Sequence, residues 1–216
     1  MPNSNFPDSA GSILPPPPML PDGRGGRAAL VAALGFVDDP PLSPEALAAW
    51  FEAHLIEPGR MSRPMYVSEA FYGRVMLDPP PPSSSTGMVP VAPPDEVAQL
   101  VVVARARVLH ALRAFMPPAR DERFLMVAMA SGRVRAEPGS KVWEAFPEET
   151  DLLSDIVLSL FAADILTHRE FHEQHLCVCK TCFRIDFDPR ETGYTGCRDH
   201  RSSGSSMSMP PPRAPI

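Results

Sequence analysis

Five residues near one end of the chain have the types and spacing to bind a metal ion: Cys177, Cys179, Cys182, Cys197 and His200. The four cysteines are all that the chain contains, and they fall within 21 residues. Thiolate and imidazole are the donors that Zn2+ takes in tetrahedral structural sites. A Cys-x-x-Cys turn presents two thiolates to one side of a metal, and Cys179-Lys180-Thr181-Cys182 has that spacing. Cys197-Arg198-Asp199-His200 repeats the gap with histidine in the last place. The reading is a zinc site built from Cys179, Cys182, Cys197 and His200. Cys177 competes with Cys179 for the metal; otherwise it is a small buried apolar residue, the ordinary fate of a free cysteine. The doubled C-x-x-C/H spacing favours Cys179. Four protein ligands close the shell, whereas a catalytic zinc keeps a position open for water or substrate. The zinc is therefore read as structural. Iron–sulfur chemistry fits less well, because cysteine is its usual ligand and histidine fills the fourth place here.

Other reactive patterns fall short. His172-Glu173-Gln174-His175 is one residue short of H-E-x-x-H, so its histidines do not share a helix face. His168-Arg169-Glu170 followed by Cys179-x-x-Cys182 has a superficial likeness to zinc deaminases. Val178 stands where that pattern needs proline, and the gap is very short. His168, His172 and His175 lie at i, i+4 and i+7. They read as solvated residues complementing a helix C-terminus rather than as a second metal face. With no acid–base or nucleophile constellation in view, the expectation is a protein that is not an enzyme.

The elements that must position the ligands follow from pattern. Residues 183–188 alternate strictly, with Phe183, Ile185 and Phe187 on one face and Arg184, Asp186 and Asp188 on the other. Residues 188–193 supply a turn, and Tyr194-Thr195-Gly196 is the expected returning strand. The resulting hairpin, zinc-ribbon-like, would bring the two ligand pairs together. Upstream, residues 148–175 predict one long helix, with Thr150 as a cap and a wide apolar stripe through Leu152, Leu153, Ile156, Val157, Leu160, Phe161, Ile165 and Leu166. It runs into the cysteines with no linker, so the zinc unit should pack on it.

Earlier segments read as helices for local reasons. Residues 28–36 are short and apolar. A helix over 44–56 opens with Ser43 as N-cap, Pro44 at the first position and Glu45 in the first turn. Residues 95–116 carry apolar side chains at 3/4 spacing until Pro117-Pro118 stops the helix. Residues 65–77 are ambiguous, with strand-type chemistry at a spacing that also suits a helix. Residues 124–136 suggest a hairpin about Ser131-Gly132, with a short helix through Ala130 as the alternative. Trp143 and Phe146 are expected to pack on the core.

Of the 28 prolines, 18 crowd into three segments, 2–21, 79–94 and 210–215. These divide the chain into a disordered tail at 1–24, a mainly helical domain at 25–175 with a linker at 78–94, a zinc unit at 176–201 and a second tail at 202–216. The fold class is α+β, mainly helical, with a C-terminal zinc-binding β-hairpin. No secretory signal or membrane-length apolar run is visible, so the expected location is cytoplasmic, where clustered thiols stay reduced. A net charge of -6 argues against strong nucleic-acid binding. Within 176–201, five basic residues meet four acidic ones, which gives no clustered excess for phosphates.

Residues 42–55 (LSPEALAAWFEAHL), 101–115 (VVVARARVLHALRAF) and C-x-x-C…F-x-D, with Cys179, Cys182, Phe187 and Asp188, carry a resemblance. Over most of the chain between the proline-rich tails, the layout resembles bacterial proteins in which an ABATE domain precedes a CGNR-type zinc finger. The CGNR tetrapeptide is absent, and Cys197-Arg198-Asp199-His200 stands in its region. The resemblance implies helices followed by a zinc unit, and a transcription regulator. The family's basic run is missing here, so DNA binding is carried over least. Two functions are thus in view: a structural zinc that shapes a surface for another protein, and a DNA-binding regulator that uses the zinc unit and nearby arginines.

Overall fold

The structure, a computed structural model, describes residues 26–77, 94–187, Cys197 and His200. The tails read at 1–24 and 202–216 and the linker at 78–93 lie outside these residues; Pro94 already belongs to a helix. The described chain is mostly helical, with three small hairpins.

Helix α1 spans Gly26–Asp38 and α2 spans Pro44–Phe51. Ser43 caps α2 as expected: the Ala46 backbone N–H donates to its hydroxyl at 3.1 Å. A π-helical turn, Glu52–Ile56, extends α2 to the predicted end. Trp50 fastens α2 to α1, its indole N–H donating to the Ala32 carbonyl at 3.1 Å and its ring meeting Phe36 edge-on at 5.2 Å. The ambiguous stretch is a hairpin, β1 (Tyr66–Glu69) against β2 (Gly73–Met76), whose inward face holds Val67 and Val75.

Helix α3 spans Pro94–Phe115 and stops just before the paired prolines. Helix α4 follows at Arg123–Ala130. The hairpin suggested about Ser131-Gly132 is thereby corrected in favour of the short helix. Gly132 is not a hairpin turn; it ends α4 with φ +75°, where its N–H reaches the Met129 carbonyl at 3.1 Å. Leu125 and Ala128, three apart, are the side chains that α4 buries. The strand after it, β3 (Val134–Ala136), pairs with β4 (Trp143–Ala145). Trp143 and Phe146 are both half-buried, and the Trp143 backbone N–H donates to Thr167 Oγ1 at 2.9 Å.

Helix α5, Leu153–Thr167, is the centre of the core, and α1, α3 and α4 pack around it. An all-round apolar helix is stable only when wrapped on all sides. The single helix expected over 148–175 is in fact two. His168, at φ −124° and ψ 46°, breaks the spiral, and α6 occupies Arg169–His175. Thr150 is not the cap. Helix α5 starts later, and its Ser154 N–H and hydroxyl are taken by the buried carboxylate of Glu69 at 2.8 and 2.9 Å. That carboxylate also meets Arg107 of α3 at 2.5 Å, so one acid joins β1, α3 and the positive end of α5. No helix among the described residues is long and apolar enough to cross a membrane.

Candidate metal centre

Strand β5 (Leu176–Val178) begins at the residue after α6 and pairs antiparallel with β6 (Ile185–Phe187). The sequence reading gave β6 a partner at 194–196 and did not foresee this upstream one. The partner of β6 lies upstream, because the Cys-x-x-Cys turn itself closes the hairpin. Residues 194–196 lie outside the described residues. Phe183 does not extend β6 either: it stands in the turn at φ +60° and is 44% exposed, whereas Ile185 is buried.

The turn is shaped by its own backbone. The Cys179 N–H donates to the Arg184 carbonyl at 2.9 Å, and the Phe183 N–H donates to the Cys179 carbonyl at 3.0 Å. The Thr181 N–H points at Cys179 Sγ at 3.4 Å. On the far side, the His200 N–H donates to the Cys197 carbonyl at 3.0 Å, a tight turn that places both side chains toward the hairpin.

These two turns converge. The ligand atoms of Cys179, Cys182, Cys197 and His200 all lie within 4.8 Å of one another. Cys182 Sγ is 3.6 Å from Cys197 Sγ, and His200 Nδ1 is 3.2 Å from Cys197 Sγ and 3.7 Å from Cys179 Sγ. Zinc–sulfur and zinc–nitrogen bonds of about 2.3 and 2.0 Å imply tetrahedral edges of about 3.8 Å for S–S and about 3.5 Å for S–N. The 3.6, 3.2 and 3.7 Å separations lie close to those edges, and the whole set stays within 4.8 Å. A sulfur pair at 3.6 Å is far too long for a disulfide, which needs about 2.05 Å. The group thus has the donors and the dimensions to accept an ion such as zinc. Cys179 and Cys197 are buried, while Cys182 and His200 are exposed.

Electrostatics point the same way. Burial alone would push the Cys179 thiol up. The backbone N–H groups of Cys182, Cys197 and Thr181, with the Cys182 side chain, outweigh it and bring the thiol down to about 5. For Cys182, the Arg184 backbone N–H lowers the thiol, but burial and the adjacent Cys179 and Cys197 sulfurs together push it up. One thiolate here opposes ionisation of the next, and a bound dication removes that opposition.

Cys177 does not join the group. It sits in β5 between Leu176 and Val178 and is 3% exposed. The histidines expected at a solvated helix end are partly corrected. His172 is wholly buried and bonded to Asp164, and His175 stacks on Phe171 at 4.9 Å. The sequence signal for this was Asp164 itself, an acid within an apolar helix and eight residues before His172. The unit rests on the core through the Val178 N–H, 3.1 Å from Met116 Sδ, and through Phe187, stacked on Phe171 at 5.6 Å.

Compared with known protein families, with characterised proteins and with solved structures, the chain matches none.

Proposed function

We propose that the protein is a non-enzymatic zinc protein in which Cys179, Cys182, Cys197 and His200 hold a structural Zn2+ that shapes a surface for another protein. The observation that carries this reading is the convergence of three sulfurs and one imidazole at tetrahedral spacing. What the clamp presents is Phe183. The turn holds it in a left-handed conformation and 44% exposed, with the Arg113 guanidinium 5.5 Å above its ring. Lys180 and Arg184 are exposed on the same turn. An exposed aromatic with an arginine over its ring and two further basic residues on its turn suits a partner surface with an apolar pocket and acidic edges.

Purified under reducing conditions, the protein should carry about one zinc per chain, as one four-ligand site requires. Cys182→Ala and Cys197→Ala should each abolish that zinc, while Cys177→Ala retains it. Metal analysis finding no zinc in the wild type would sink the reading, and equal loss in Cys177→Ala would reassign the ligand.

A second reading, DNA binding, draws on Arg113 over the Phe183 ring and on the exposed Lys180 and Arg184 of the same turn. Filter binding at several salt concentrations separates the two. DNA affinity that falls steeply with salt and is lost in Arg184→Ala would favour the regulator.

A further inference from the structure

Outside the metal centre, a deeply buried polar pair lies where α5 meets α6. Asp164 is 1% exposed and His172 is fully enclosed, and His172 Nε2 lies 2.6 Å from Asp164 Oδ2. Placing a carboxylate and an imidazole in an apolar core is unfavourable before pairing, and well-packed apolar residues often serve stability better. A directional role accounts for the pair more readily than a stabilising one.

The surroundings identify that role. His168 breaks the helix, so α6 is not held in line by a continuous spiral. Its surface ion pairs, from Arg169 to Glu122 and Glu173, are half-exposed and of the kind that contributes little. Of the side chains of α6 only His172 is fully buried, so packing holds α6 less firmly than it holds α5, and a directional hydrogen bond adds the missing constraint on rotation. His172 also meets Phe187 of β6 edge-on at 5.7 Å, and the neighbouring Phe171 stacks on the same ring. Moreover, Asp164 Oδ1, His168 Nε2 and His172 Nδ1 are buried without a hydrogen-bond partner. The His172 ring therefore takes its orientation from one bond and two aromatic neighbours. Because β5 starts at the residue after α6, any rotation of α6 is delivered at once to Cys179, four residues beyond His175.

We propose that Asp164 and His172 are positioning residues for the metal centre: their bond sets the rotation of α6, and through β5 and Phe187 it sets the register in which Cys179 and Cys182 meet Cys197 and His200. This rests on the metal reading above.

The test measures zinc affinity of the full chain by competition with a chromophoric chelator. In the double variant Asp164→Leu/His172→Phe, the pair is replaced by apolar groups of similar size, which leaves no orphaned charge. It should fold, yet bind zinc about 10-fold more weakly, the loss typical of removing support behind a ligand set. His172→Gln, which keeps a side-chain donor facing Asp164, should recover most of that loss. A double variant with wild-type zinc affinity would overturn the inference while leaving the metal reading intact. Absence of zinc from the wild type would overturn both. A second measurement needs no variant: the His172 ring resonances should shift when a chelator strips zinc from the wild type. Unmoved resonances overturn the inference even if the double variant fails to fold.

Discussion

Helix α5 and the β5–β6 unit hold their shapes by different means. Of the fifteen residues of α5, eleven are buried, so its geometry is over-determined by packing. In the metal hairpin, by contrast, residues 180–184 are all exposed, and burial is confined to the strands and to Cys179 and Cys197. Each large apolar side chain that α5 buries contributes roughly 1.5–3 kcal/mol. The exposed turn has no such source. Its shape comes from a few backbone hydrogen bonds and, in our reading, from ligation. One region is specified by what it excludes from water and the other, on the proposed reading, by what it binds.

Chelation should separate the two most sharply. A structural zinc contributes on the order of 10 kcal/mol to the unit that it organises. Stripping zinc should abolish hydrogen-exchange protection at Cys179 and Phe183, whose N–H groups close the turn, while amides at the centre of α5 stay protected. Equal loss in both regions would show that the core also depends on the metal. The converse experiment attacks α5. Phe161 is fully buried, and Phe161→Ala should cost about 4 kcal/mol in denaturant unfolding while zinc stoichiometry stays unchanged. A smaller effect comes from the edge of the core. Glu69→Ala leaves the Ser154 N–H and hydroxyl without their acceptor and should cost about 2 kcal/mol, again with zinc retained. Zinc lost from either core variant would mean that the two regions are less separable than their burial implies.

This difference also decides what could be read in the sequence. The Cys179, Cys182, Cys197 and His200 group was legible because a Cys-x-x-Cys turn is local, its spacing alone placing two sulfurs together. The start of α2 was legible for the same reason, since Ser43 and Pro44 act within one turn. Long-range relations were not. Nothing near Leu176–Val178 marks it as the partner of Ile185–Phe187, because pairing is a property of two segments and the upstream one reads as the end of a helix. The break at His168 has no proline or glycine to announce it. Gly132 misled because a left-handed glycine serves a helix end as well as a hairpin turn. The role of Glu69 was invisible, as its partners come from α3 and α5.

That carboxylate has a consequence for the order of assembly. Glu69 precedes Arg107 by 38 residues and Ser154 by 85. At synthesis rates of roughly 5–20 residues per second, the acid is made some 4–17 s before the helix end it will cap. Arg107 emerges between them and is available to neutralise Glu69 while the first turn of α5 does not yet exist. The nascent chain therefore makes its central helix after both the acid that receives the helix end and the arginine that neutralises that acid in the folded protein. A circular permutant that made α5 first would reverse this sequence and leave the helix end to find its acceptor late.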